Sequence, residues 1–221
     1  MAINWIFDFD GVIVDSERLH YAAFVETLGP FGFTATFDEY VARYVGLDDE
    51  SAARAMIVDS GGDAARAREL LGRKIELMRR WIEDGRILKV AGALEFIEAA
   101  SKRGPVSVCS AARGSEVHTV LERFGIHDWF ATIVTADDVT RTKPDPEGYR
   151  RVMELTNASP GDCVVFEDSG PGIEAARSAG ARVIGITSSS ASDRLSRADF
   201  VWPHFLGVRP EDALERLGLD Q

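Results

Sequence analysis

The chain predicts an α/β fold: a doubly wound, Rossmann-like parallel sheet with an inserted all-helical cap. Three observations carry this. Short apolar runs alternate with helical stretches over residues 88–221, the pattern of parallel strands with crossover helices. A further apolar run, Ile3–Phe7, lies far upstream of the others. Between them, residues 16–87 contain no convincing strand, only Ala-, Arg- and Glu-rich helical patterns. The expected organisation is therefore a core of residues 1–15 and 88–221, and a helical cap of residues 16–87.

The elements follow in order. Ile3–Phe7 is the first strand. The cap patterns are Glu17–Leu28, Asp38–Tyr44, Glu50–Val58 and Asp63–Glu83. A helix at Ala91–Arg103 stops at Gly104-Pro105, just before a strand at Val106–Cys109. Ser115–Phe124 is a helix and Thr132–Thr135 a strand. Pro146–Asn157 and Gly170–Ala179 are helices on either side of the strand Asp162–Phe166. The second of these stops at Gly180, before the strand Arg182–Ile186. A last strand at Asp199–Trp202 and a helix at Pro210–Leu217 complete the pattern.

Composition narrows the function. A hydrophobic content of 45% supplies a packed core. No apolar run approaches the roughly 20 residues of a membrane span, and no membrane partner is expected. The opening residues, Met1-Ala2-Ile3-Asn4, lack the basic stretch and cleavage site of a signal peptide, so a cytoplasmic location is expected. Cys109 and Cys163 lie in apolar runs and read as small buried hydrophobes. A net charge of −11 argues against nucleic acid. It also means that a phosphate-bearing substrate requires cations placed locally against the global field.

Candidate chemistry gathers at strand ends. The first strand runs into Asp8-Phe9-Asp10-Gly11, two carboxylates that raise each other's pKa unless compensated. Period-2 geometry points both the same way for as long as the strand lasts. The strand at Val106–Cys109 ends in Ser110, and Cys163–Phe166 runs into Glu167-Asp168-Ser169. Open parallel sheets bind ligands beyond these carboxyl ends. The carboxylates suit a hard cation such as Mg²⁺. Lys143, in Thr142-Lys143-Pro144-Asp145-Pro146, is a point charge for a phosphate in a proline-stiffened loop. Gly170-Pro171-Gly172-Ile173-Glu174-Ala175 matches a dinucleotide fingerprint, but Glu167 and Asp168 immediately before it would repel a pyrophosphate. These glycines read instead as a tight loop that aims the carboxylates.

In their joint order, Asp8–Glu17, Ser110, Lys143–Pro146 and Phe166–Gly172 resemble the four motifs of the haloacid dehalogenase superfamily. The helical insert resembles its C1-type cap, and the nearest branch is the β-phosphoglucomutase-like one, mostly sugar-phosphate phosphatases. The resemblance implies a Mg²⁺-dependent phosphatase acting on a sugar or polyol phosphate. Asp8 would be the nucleophile that becomes an aspartyl phosphate, and Asp10 the acid and then the base. Mg²⁺ would bind Asp8, the Asp10 backbone carbonyl, Asp168 and, directly or through water, Glu167. Ser110 and Lys143 would hold phosphoryl oxygens. Arg113, His20 and Lys74 are further candidates for substrate contact, and Tyr44–Asp49 resembles a specificity loop. A monomer or weak homodimer is implied.

The alternative of the same fold is a phosphosugar mutase. A mutase carries an arginine in the region held here by Asp48-Asp49-Glu50, and an acidic segment is a poor grip for a second phosphate. A dehalogenase needs no acid at Asp10. A non-catalytic binding protein would not need all four motifs filled.

Overall fold

The computed structural model describes residues 3–45, 47, 49–187 and 195–219. Gly46 and Asp48 of the expected specificity loop lie outside the described residues. The chain forms two compact units, Met1–Asp15 with Leu88–Gln221, and Ser16–Ile87.

The first unit is built on a six-stranded sheet. Its strands are β1 (Asn4–Phe7), β4 (Val106–Cys109), β5 (Thr132–Val134), β6 (Cys163–Glu167), β7 (Arg182–Ile186) and β8 (Phe200–Trp202). They are ordered β5-β4-β1-β6-β7-β8 and every pairing is parallel. β1 is thus central, flanked by β4 and β6. Around the sheet run α5 (Ala93–Ser101), α6 (Gly114–Arg123), α7 (Glu147–Thr156), α8 (Gly170–Ala179) and α9 (Pro210–Leu217). Two-residue strands β2 (Val14–Asp15) and β3 (Leu88–Lys89) pair antiparallel. Sequence periodicity does not reveal strands so short.

Alternation along the strands makes two different faces. On one, Phe7 and Phe166 stack with ring centroids 4.8 Å apart, and Phe96 of α5 meets Phe166 edge-on at 5.0 Å. Aromatic pairs at these separations add to plain area burial. On the other, Ile6, Cys163 and Val165 pack with Tyr149, Val152 and Met153 of α7 and Ile173 of α8. Both cysteines are free and buried, as expected. The second face is the one that matters for chemistry, because the next residues in its alternation are Asp8 and Glu167.

The second unit contains α1 (Glu17–Leu28), α2 (Phe37–Arg43), α3 (Asp49–Asp59) and α4 (Ala67–Glu83). The pattern expected as one helix over Asp63–Glu83 is split: a 3-10 turn at Ala64–Arg66 precedes α4, with the Asp63 carboxylate capping the Ala65 amide. Phe24, Leu28, Tyr40, Met56, Ile57 and Leu70 anchor this unit's own core. No described helix is long and apolar enough to cross a membrane.

Candidate active site

Asp8 follows β1 directly, and its amide still donates to the Phe166 carbonyl at 3.0 Å. The strand itself ends at Phe7, so strand alternation does not set the direction of Asp10. Instead the chain winds around the Phe9 carbonyl, which accepts from the amides of Ile13 at 2.9 Å and Val14 at 3.1 Å. Gly11 sits at φ +70°, the left-handed conformation that glycine adopts without steric cost. Asp10 is half-buried in this turn.

Lys143 is the hub. Its ammonium donates to Asp8 Oδ1 at 2.6 Å, Glu167 Oε1 at 2.6 Å and the Cys109 carbonyl at 2.9 Å. A lysine has three hydrogens to give, so these contacts account for all of them. The loop that presents it is pinned at both ends. Glu147 accepts from the amides of Thr140 at 2.7 Å and Arg141 at 3.1 Å, and Asp145 caps the Glu147 amide at 3.0 Å.

Glu167 is fully buried, with both oxygens engaged. Oε1 accepts from Lys143 and from the Tyr149 hydroxyl at 2.8 Å. Oε2 accepts from the Ser169 amide at 3.1 Å and hydroxyl at 2.9 Å. Ser169 in turn caps α8 by accepting from the Gly172 amide at 3.1 Å. A Cβ on Gly172 would lie 1.8 Å from Glu167 Oε1. That is the physical reason for a glycine here: the carboxylate occupies the volume a side chain would take.

Burial and the Glu167 charge push the Asp8 carboxyl up to about 7, against the opposing pull of Lys143. The same burial favours neutral Lys143, yet Asp8 and Glu167 outweigh it and hold the ammonium firmly protonated. Asp8, Glu167 and Asp168 each offer a carboxylate oxygen, all within 4.8 Å of one another. An all-carboxylate donor set of this kind fits a hard divalent cation. The charge of Asp10 also acts on Asp8. A divalent cation held by this cluster would offset the repulsion among its carboxylates.

Ser110 ends β4 and lines one pocket with Lys143, Tyr149 and Cys109. Its hydroxyl accepts from the Ala112 amide at 2.9 Å. Arg113 is exposed at the start of α6. His20 and Lys74 belong to the second unit. There Lys74, 2% exposed, donates to Asp49 Oδ2 at 2.7 Å and lies 2.8 Å from His20 Nδ1. Burial and the Lys74 charge push His20 down to about 3, so its Nδ1 is the acceptor. Tyr149 was not among the residues expected from sequence. On a helix face, a buried aromatic six residues after a lysine reads as core.

Comparison with known proteins identifies the family. Residues 5–186 match the model of the haloacid dehalogenase-like hydrolases. The phosphorylated carbohydrates phosphatase of Thermotoga maritima is 33% identical over 83% of this chain and 85% of its own length. Fructose-1-phosphate phosphatase YqaB of Escherichia coli is 31% identical over 79% of this chain and 91% of its own. The crystal structure of CbbY from Rhodobacter sphaeroides in complex with phosphate superimposes with a TM-score of 0.80 at 24% identity, covering 94% of this chain and 96% of that one. β-Phosphoglucomutase from Clostridium difficile gives a TM-score of 0.82 at 21% identity, over 99% and 98%. Identities this low carry the fold alone. With the family match spanning strands β1 to β7 and every motif between them, the chain belongs to the haloacid dehalogenase-like hydrolases.

Proposed function

We propose that this hydrolase is a Mg²⁺-dependent phosphatase that cleaves a small sugar or polyol phosphate through an aspartyl phosphate on Asp8. The observation that carries the reading is the Asp8–Lys143–Glu167 cluster at the carboxyl ends of β1 and β6. The carbohydrate-phosphate phosphatases among the relatives support this substrate class.

In this reading an Asp8 oxygen attacks phosphorus and the ester P–O bond breaks. Asp10, as the acid, gives its proton to the departing alkoxide. Asp10 then takes a proton from water, whose oxygen attacks the phosphoryl group. The bond to Asp8 breaks, releasing inorganic phosphate and restoring the carboxylate. Lys143 and Ser110 hold the phosphoryl oxygens. Asp8, Asp168 and the Asp10 carbonyl would hold Mg²⁺, with Glu167 serving directly or through water. When bound, the ion neutralises charge between carboxylates and phosphate. Arg113, His20 and Lys74 have no part in the transfer itself and remain candidates for contact with the rest of the substrate.

The test is phosphate release from a panel of sugar and polyol phosphates, with Mg²⁺ and with excess chelator. Asp8→Asn should lower turnover by more than about 10⁴-fold, beyond what general acid–base catalysis alone supplies. Wild-type enzyme quenched during turnover should gain the mass of one phosphoryl group, and the variant should not. Activity of the variant within tenfold of wild type, or full activity in chelator, defeats the reading.

A further inference from the structure

We infer that Tyr149 is a positioning residue that aims Lys143, acting through Glu167. The inference rests on the phosphatase reading above and adds to it a residue outside the four motifs.

The Tyr149 ring is wholly buried on α7, in the apolar face formed by Ile6, Val165 and Val152. Phenylalanine would fill the same space without burying a hydroxyl, so packing does not call for the oxygen. That hydroxyl meets Glu167 Oε1 at 2.8 Å. The same Oε1 accepts from Lys143, and the Lys143 ammonium lies 5.2 Å from the centre of the Tyr149 ring. Tyr149 therefore touches both members of the pair, one through its hydroxyl and the other through its π face.

The arrangement answers a need of the reaction. Of the three acceptors on Lys143, Asp8 is the one that changes charge when it bonds to phosphorus. The Cys109 carbonyl and Glu167 do not react. Together with the Tyr149 ring they form a fixed support that keeps the ammonium in place while Asp8 is consumed and restored. Glu167 can serve only if it is itself held. Ser169 fixes Oε2, and on Oε1 the Tyr149 hydroxyl balances the lysine. Without that hydroxyl, Lys143 is the remaining donor to Oε1 among the described residues. The ammonium is then drawn toward Glu167 and away from Asp8.

Tyr149→Phe separates this from a packing role. The variant should lose about tenfold in kcat, the scale of one hydrogen bond. The inhibition constant of orthovanadate, a phosphoryl mimic, should rise by a similar factor. KM should stay within about threefold and the Mg²⁺ concentration for half-activation within about twofold. In a Lys143→Met background, Tyr149→Phe should have no further effect on vanadate affinity. A purely structural tyrosine would lower the melting temperature and leave kcat per active site and the vanadate constant unchanged, which overturns the inference. So does a shift in half-activating Mg²⁺ as large as that in kcat, which would assign Tyr149 to the metal. If wild-type enzyme hydrolyses no phosphate ester, the phosphatase reading fails separately. A crystal structure of Tyr149→Phe still decides the inference then, because the Lys143–Asp8 contact must lengthen while Lys143–Glu167 stays.

Discussion

Each unit of the molecule buries one lysine against a carboxylate and an aromatic ring, and the two outcomes differ. In the core, Lys143 bridges Asp8 and Glu167 beside the Tyr149 ring. Both partners are themselves buried, so water screens neither charge. In the cap, Lys74 pairs with Asp49, beside a neutral His20 and 4.9 Å from the centre of the Phe24 ring. Asp49 is 44% exposed, and solvent shares the work of stabilising it. In the core two carboxylates share the Lys143 ammonium, and burial pushes one of them, Asp8, up to about 7. Carboxyls perturbed by burial and a like charge cluster at functional sites.

The comparison can be broken most directly at the two lysines. Lys143→Met should lower kcat by about 10²–10³-fold, the cost of losing a preorganised charge at the phosphoryl group. Lys74→Met should leave kcat within about threefold, since Lys74 has no part in the proposed transfer and Asp49, 44% exposed, keeps its hydration when the ammonium is removed. Steady-state kinetics on one substrate decides between them. Equal losses would mean that the cap lysine also serves the reacting phosphate.

Two glycines sharpen it. Gly172→Ala drives a methyl group into the Glu167 carboxylate. It should cost about 1–3 kcal/mol of stability, as overpacking does, and at least about tenfold in activity as Lys143 loses its support. Gly72 lies inside α4, and a Cβ added there would meet nothing within 4 Å. Gly72→Ala should stabilise the protein by about 0.5–1 kcal/mol through helix propensity. Urea midpoints of the two variants should therefore move in opposite directions.

The remaining effect is a pH slope that originates in the cap. His20 is held neutral down to about 3, below its ordinary value of 6.5. As pH falls through 6.5 the unfolded chain takes up a proton that the native state refuses. Stability present above pH 6.5 is therefore lost on the way toward 3, by at most about 1.4 kcal/mol per pH unit. His20→Gln should flatten that slope between pH 6.5 and 5 in urea titrations. An unchanged slope would show that His20 is protonated in the folded cap.

Much of the core was legible because its signals are local. Ile3–Phe7, Val106–Cys109 and Arg182–Ile186 announce themselves as apolar runs, and the acidic and hydroxyl residues follow them immediately. Other features were illegible for physical reasons. β2 and β3 hold two residues each, too few for any period to register. The break before α4 depends on one capping carboxylate at Asp63. The Lys74–His20 contact spans 54 residues and Tyr149–Glu167 spans 18, and no spacing rule links them. Gly172 shows the middle case. Its place in a glycine-rich loop was plain, whereas the carboxylate that forbids a side chain there is visible only in three dimensions.

The order of strands in the sheet has a consequence for biosynthesis. β1 is central, and its neighbours β4 and β6 both come much later in the chain. Lys143 follows Asp8 by 135 residues. At about 5–20 residues per second, a ribosome needs roughly 7–27 s to cover that distance. Until β4 is made, Trp5, Ile6 and Phe7 have no sheet to enter, although none of them is exposed in the finished protein. The cap's principal core draws on residues between Phe24 and Leu70, all synthesised before β4 exists. The residues of that core are therefore complete while β1, the apolar strand that leads into Asp8, still waits for both of its neighbours.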